Sequence, residues 1–342
     1  MSDLEEKRAD FHERASVPPG RPAGIPWLHV LLVAGTVGIV FLYVMEMVRQ
    51  YRLEPGLGPR FSVNLEPAKL PLEEEPRAAN AAWLSLRIAI APVISPEKSI
   101  EIYRDLARYV AAQLEREAVV MHRATYSEIN ELVRYRRCDL ALVCTYPFVR
   151  GEQDFGMEVL VVPQVKGSVS YYSLIIVTAS ADAGSILDLR NKRFACADLL
   201  SNSGWLFPAT WLQNQGEDPD SFFSEVVVVG SHDRSIQAVV SGFVDGAAVD
   251  SLVYETVSED DPSIARRVKV IQKSPPFGMP PLVVHPQMDP ELKSQLRDTL
   301  LKMHENPNGK TILSSIGIDR FVVVDLEIYD SVRRAAKLWE TR

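Results

Sequence analysis

From Trp27 to Met45 the chain carries no charge, and the run reads WLHVLLVAGTVGIVFLYVM. At 1.5 Å per residue, about twenty such residues cross a hydrocarbon core roughly 30 Å thick. A helix satisfies its own backbone groups, so the run predicts a transmembrane helix over 27–48. Trp27 and Tyr43 fall near its ends, at the depth where amphipathic rings settle. A buried core helix is the other use of such a run, and the length argues against it. No small-x-small site follows, and Glu46 to Gln50 is charged and bulky, so the segment reads as an uncleaved anchor behind a cytoplasmic tail over 1–26. Arg14 and Arg21 flank one side and Arg49, Arg52 and Arg60 the other. That balance gives the positive-inside rule no vote, and topology rests on what the large domain is.

The pattern then changes twice. Residues 49–82 hold seven prolines and glycines from Pro55 to Pro76, with Glu73, Glu74 and Glu75 among them. Such a stretch is stiff, solvated and poor in core residues, and predicts a linker. From 83 onward, alternating strands and amphipathic helices predict an α/β domain with parallel strands. Strands are expected at 84–90, 118–121, 139–144, 193–197, 225–229, 246–249 and 268–272. Helices are expected at 99–115, 126–136 with Ser127 as N-cap, 205–213, 234–240, 290–304, 310–316 and 328–338.

Net charge is −8, with no basic stripe, which argues against a nucleic-acid partner. Cys138 and Cys144 lie six residues apart on one strand, roughly 20 Å, beyond disulfide reach. With Cys196 in another apolar run, all three read as buried free thiols. The Cys and His spacings match no metal site, and no cofactor motif is present.

Three loops share a design in which a strand ends, small polar residues follow and a helix begins. They are Cys144-Thr145-Tyr146-Pro147, Ser201-Asn202-Ser203-Gly204 and Ser231-His232-Asp233. In open α/β sheets ligands bind at the carboxyl ends of strands, where free helix N–H groups favour an anion. Ser201 and Ser203 add uncharged donors, Gly204 lets a ligand approach the backbone, and His232 can donate to an oxyanion. Plain N-capping accounts for the same residue types, and both readings stand.

Several strings resemble the phosphate/phosphite/phosphonate-type periplasmic substrate-binding proteins of ABC transporters. Tyr171-Tyr172-Ser173 is similar to the family's tyrosine before its crossover, and Asp188-Leu189-Arg190-Asn191-Lys192-Arg193-Phe194 to its pattern before a strand. Ser201-Asn202-Ser203-Gly204-Trp205-Leu206-Phe207-Pro208 is similar to its phosphonate-binding turn. Gly230-Ser231-His232-Asp233 and Gly242 to Ser251 resemble its second lobe. The resemblance covers about 84–340. It implies a two-lobe periplasmic binding protein (type II) clamshell over 83–342, preceded by the single transmembrane helix. Lobe one would be about 84–177 plus 275–342, and lobe two about 178–274. Ser201, Asn202 and Ser203 would cradle the oxyanion, with Gly204, Ser231 and His232 beside them. Tyr146 would face the turn from lobe one, Tyr172 would be among the ligand-binding residues, and Asp250 would contact the ligand's other end. The chain departs from the family at Asn202, where threonine is usual, and at Leu199-Leu200, where proline follows the aspartate.

The implied function is a membrane-tethered extracytoplasmic receptor for a small oxyanion of the phosphonate, phosphite or phosphate class. It would sit on the bacterial inner membrane, with its large domain in the periplasm, and serve an ABC permease. The other reading is a binding-protein-like accessory or sensory subunit of another membrane complex, with a degraded pocket. An enzyme is not expected. No G-x-S-x-G, zinc spacing or P-loop is present, and Asp245 and Asp250 point to opposite faces of one strand.

Overall fold

A computed structural model describes residues 85–341. The tail at 1–26, the anchor at 27–48 and the linker at 49–82 lie outside the described residues. No helix among the described residues is long and apolar enough to cross a membrane.

Thirteen strands are described in chain order. The first four are β1 Ser85–Ile90, β2 Glu117–His122, β3 Leu140–Leu142 and β4 Glu158–Gln164. Next come β5 Ser170–Tyr171, β6 Ser173–Thr178, β7 Arg193–Cys196, β8 Glu225–Val228 and β9 Gly246–Asp250. The last are β10 Val268–Lys273, β11 Phe277–Gly278, β12 Leu282–Val284 and β13 Arg320–Val322. They form two sheets, β13-β4-β12-β3-β1-β2 and β10-β6-β9-β7-β8, and a two-stranded ribbon of β5 and β11. The expected two-lobe α/β architecture is present, but the sheets are mixed rather than parallel. β1 runs parallel to β2 and β3, whereas β12 is antiparallel to β3 and β4, and β6 to β9 and β10.

Sheet pairing also moves the lobe boundary. The sequence placed it after Val177, but β6 bonds along its length to β9 and β10 and so belongs to the second sheet. The chain crosses between lobes at 165–172 and again at 274–281, where β5 pairs with β11. That ribbon lies at the join between the two sheets. Ser173 and Ser274 are bonded beside it, Ser173 N–H donating to Ser274 Oγ at 2.8 Å.

Each lobe has its own apolar cluster. In lobe one the inward residues of β1, Leu86, Ile88 and Ile90, meet Leu106 and Val110 of the helix Pro96–Gln113, which covers one sheet face. In lobe two Ile176, Ala247 and Val249 pack against Ile236 and Val239 of the helix His232–Val240. A third cluster runs across the join, from Tyr126 and Phe148 through Trp205 to Trp339 on the terminal helix Asp330–Glu340. Trp205 and Trp339 meet edge to face with centroids 6.1 Å apart.

The helix expected at 126–136 spans Tyr126–Arg134, and its N-cap is Thr125 rather than Ser127. Thr125 Oγ1 accepts from Glu128 N–H at 3.2 Å while Glu128 Oε2 accepts from Thr125 N–H at 2.9 Å. That reciprocal pair is a capping box, and Ser127 lies inside the first turn.

Candidate oxyanion site

Strand ends from both lobes converge between them. β7 leads through Asp198 into Ser201–Ser203, β8 leads into Ser231–Asp233, and β9 ends on Asp250. From lobe one, β2 leads to Tyr126 and β3 to Cys144 and Thr145. Ser201, Asn202, Ser203, Ser231, His232, Asp250, Thr145, Tyr126 and Tyr171 are all buried.

The turn after Ser201 is wider than an α-helical one. Leu206 N–H donates to Ser201 O at 2.9 Å, five residues back, and Phe207 N–H to Asn202 O. Such π-type turns occur mostly as single turns, frequently at functional sites. Gly204 is required by close approach: a Cβ there would stand 2.9 Å from Ser201 Oγ and 3.3 Å from His232 Cε1.

His232 is fixed by three bonds. Its backbone N–H donates to Val93 O of lobe one at 3.0 Å. Its Nδ1 accepts from Asp250 N–H at 3.2 Å. The proton of the neutral ring therefore sits on Nε2, which donates to Ser201 Oγ at 3.3 Å. Burial lowers the imidazole pKa to about 4, against a smaller upward pull from Asp233, so the ring is neutral at pH 7. The sequence assigned His232 as a direct donor to an oxyanion; the structure gives that proton to Ser201 instead. Ser201 Oγ also accepts from Gly204 N–H at 3.0 Å. With both lone pairs engaged, its own proton is left to donate outward.

Other expected residues are placed differently. Ser231 Oγ donates to Asp233 Oδ1 at 2.6 Å, so that hydroxyl is spent inside its own loop. Tyr146 turns its hydroxyl to Glu340 Oε1 at 3.3 Å, and Arg150 pairs with the same carboxylate at 2.9 Å. It therefore faces the terminal helix and not the Ser201 turn. Tyr172 lies half-buried under Lys273 Nζ, 3.6 Å from the ring centroid. Successive strand residues point to opposite faces, and it is the neighbour Tyr171 that points inward. Tyr171 Oη accepts from Asn202 Nδ2 at 3.0 Å.

Asp250 caps the helix Ser251–Asp260, accepting from Leu252 N–H at 2.8 Å. Burial pushes its carboxyl up to about 7, despite those helix N–H bonds. Its charge reaches Tyr103, Tyr126 and Tyr171, whose hydroxyls burial also raises. Three buried polar atoms of this cluster have no partner among the described residues: Ser203 Oγ, Asn202 Oδ1 and Tyr126 Oη. Buried polar groups are nearly always bonded, so each of these three has bonding capacity that the described residues leave unused. Tyr126 went unassigned in the sequence, while Thr145 and Tyr171 were named only within longer strings and given no role. Tyr126 follows the same rule as the three chosen loops, a strand end followed by a capping residue and a helix start.

Beside the Val93–His232 bond and the apolar cluster, two carboxylates bridge the lobes. Asp233 Oδ1 accepts from Ser95 N–H at 2.9 Å, and Asp198 Oδ2 from Tyr126 N–H at 3.0 Å. Both donors stand at starts of lobe-one helices, where free N–H groups favour negative charge.

This architecture, with two sheets joined by a ribbon and a buried polar cluster at the strand ends between them, is the two-lobe fold of periplasmic binding proteins. Residues 88–329 match the family described as "ABC transporter, phosphonate, periplasmic substrate-binding protein", and the chain belongs to that family. Its members bind substrates for transport and are not enzymes. Among curated proteins, the Phosphonates-binding periplasmic protein of Escherichia coli (strain K12) is 27% identical over 155 residues. The match covers 44% of this chain and 46% of that protein, so the chain spans about half of its length. Among solved structures, a binding protein component of an ABC phosphonate transporter from Pseudomonas aeruginosa superposes with a TM-score of 0.69 at 23% identity, covering 74% of this chain and 85% of that one. PhnD1 from Prochlorococcus marinus, in complex with methylphosphonate, has a TM-score of 0.69 at 18% identity, covering 76% and 99%. At these identities the likeness shows the fold.

Proposed function

We propose that this protein is the extracytoplasmic receptor of an ABC transporter for a small oxyanion of the phosphonate, phosphite or phosphate class. The observation that carries the reading is the buried, uncharged donor set around the Ser201 turn. Ser201 has its proton free to donate, and Ser203 Oγ and Tyr126 Oη have no partner among the described residues. An oxyanion supplies the acceptors these hydroxyls lack. Asp250, capping the next helix, would meet the ligand's other end. Membership of a periplasmic transport family supports the setting. The uncharged run from Trp27 to Met45 supports a single inner-membrane tether, with the receptor domain on the periplasmic side.

The test is titration calorimetry on the full-length protein, extracted in mild detergent, with methylphosphonate, phosphite and phosphate. Binding of one of them, weakened about ten- to hundredfold by Ser203→Ala, is expected. No binding of any, with stoichiometric co-purification of a membrane complex other than an ABC permease, would favour the accessory-subunit reading. Mass spectrometry of the extracted protein tests the tether: residues preceding Trp27 should still be attached.

A further inference from the structure

The terminal helix Asp330–Glu340 is fastened to lobe one and reaches the Ser201 turn in lobe two. Its fastenings run to the helix Thr145–Phe155, which starts where β3 ends. Arg333 forks onto Glu152, Nε donating to Oε2 and Nη2 to Oε1, each at 2.8 Å. Arg150 Nη1 and Tyr146 Oη both donate to Glu340 Oε1, at 2.9 and 3.3 Å. Just before the helix, Tyr329 packs on Phe148 with centroids 4.8 Å apart, and its hydroxyl donates to Met279 O at 2.9 Å. Val332, Ala336 and Trp339 share one buried face of the helix. Trp339 ends that face, and its indole meets Trp205 edge to face at 6.1 Å.

Trp205 belongs to the turn itself: its N–H donates to Ser201 O at 3.0 Å, and it follows Gly204 directly. From there a row of rings enters lobe two. Trp205 lies 6.5 Å from Phe223, and Phe223 stacks on Phe194 of β7 at 4.2 Å. All four rings are buried. The helix Phe207–Asn214, which continues from the turn, also lies against the terminal helix. A π-type turn is rare, and side chains brace this one at both ends. At its start Ser201 Oγ takes the Gly204 N–H and the His232 proton. At its end Trp205 is gripped between Phe223 and Trp339.

We infer that Trp339 is a positioning residue for this turn. Acting through Trp205, it braces from lobe one the lobe-two backbone that presents Ser201 and Ser203. It serves binding in this way only if the turn is the oxyanion cradle, as proposed. The pair joins opposite lobes, so the brace exists only while the lobes are together. An edge-to-face aromatic pair adds to what its buried area contributes. Donors held in place before a ligand arrives lose less freedom on binding it, so the brace raises affinity without touching the ligand.

The experiment compares amide hydrogen exchange, read by mass spectrometry, in the full-length native protein and Trp339→Ala, with no oxyanion added. Exchange reports local opening region by region. Peptides over 201–207 should exchange about tenfold faster in the variant, while β1 and β9 keep native rates. Trp339→Phe keeps a ring against Trp205, and most of the protection should return. Affinity is read by calorimetry with methylphosphonate and phosphate as probes. The probe that binds should weaken about tenfold in Trp339→Ala and recover in Trp339→Phe. Native exchange over 201–207 in Trp339→Ala would overturn the inference. So would equally faster exchange throughout the domain, the mark of a general loss of stability, and so would an unchanged affinity. Should Trp339→Ala not fold, Trp339→Leu, which keeps apolar bulk without a ring, takes its place in both measurements. If the native protein binds neither probe, the receptor reading falls, and the exchange result alone decides whether Trp339 braces the turn.

Discussion

His232 Nδ1 accepts the backbone N–H of Asp250 at 3.2 Å, and this bond joins two groups whose ionisation burial opposes in opposite directions of pH. Burial lowers the histidine to about 4 and raises the aspartate to about 7. The ordinary values are about 6.5 and about 3.9. A depressed histidine contributes stability that is complete above about pH 6.5 and is lost as pH falls towards 4. A raised aspartate contributes stability at low pH that is lost as pH rises from about 4 to about 7.

The two slopes overlap and offset each other, so the native protein should change little in stability between about pH 4 and pH 7 on their account. Single variants should uncover them. Asp250→Asn, which keeps the helix cap, should gain stability as pH rises through this window. His232→Gln should lose stability as pH rises. Each change should be a few kcal/mol, at about 1.4 kcal/mol per unit of pKa difference. Urea unfolding across a pH series measures all three proteins. Parallel curves for native and variants would contradict the assignment.

Gly204→Ala tests the packing of the turn. The added methyl would meet Ser201 Oγ at 2.9 Å, Ser201 Cβ at 3.1 Å and His232 Cε1 at 3.3 Å. Something must shift, and what shifts is the hydroxyl that the histidine orients. Overpacking of this kind costs about 1–3 kcal/mol. The expected result is a lower midpoint of thermal unfolding together with weaker oxyanion binding, read by scanning calorimetry and titration on the same preparation.

The contacts between lobes predict a conformational effect. Asp233→Ala removes the acceptor of Ser95 N–H and of Ser231 Oγ, leaving both buried donors unpaired unless the lobes part. An unpaired buried donor costs about 1–3 kcal/mol, enough to shift an open–closed equilibrium by about tenfold or more. Small-angle scattering should show a larger radius of gyration for Asp233→Ala than for the native protein. An unchanged radius would mean that Val93–His232 and Asp198–Tyr126 hold closure without it.

Much of the lobe order was legible before the structure, and the reasons are physical. β1, β7, β8 and β9 announce themselves by apolar runs bounded by turn residues. β4, β12 and β13 do not. Their residues favour strands, but Pro163 interrupts β4, and β12 and β13 are three residues long, too short for any period to show. They are made strands by pairing partners far away in sequence. Ser201 to Gly204, His232 and Asp250 could be grouped from the sequence because each stands at or just after a strand end, and the structure brings them together. The choice between Tyr171 and Tyr172 was not readable, since a one-residue slip of register exchanges inward for outward. Tyr146 was misassigned because its partner Glu340 lies 194 residues away, on a helix whose packing across the lobes no local pattern reveals.

Tyr126 offers the sharpest separation between a ligand-binding and a structural role. Its ring belongs to the core that spans the lobes, while its hydroxyl is buried and unpartnered among the described residues. Tyr126→Phe keeps the ring and removes only the oxygen. If the hydroxyl served the fold, its loss would destabilise the protein; as an unpaired buried group it should do the reverse or nothing, since deleting an unsatisfied donor removes its desolvation cost. Its value should appear only with ligand, where one donor to an oxyanion is worth about 1.5–3 kcal/mol, or about ten- to a hundredfold in Kd. Thermal unfolding without ligand should therefore show Tyr126→Phe equal to or above the native protein. Titration with methylphosphonate or phosphate should show it much weaker. A variant that unfolds earlier yet binds as tightly as the native protein would remove Tyr126 from the site.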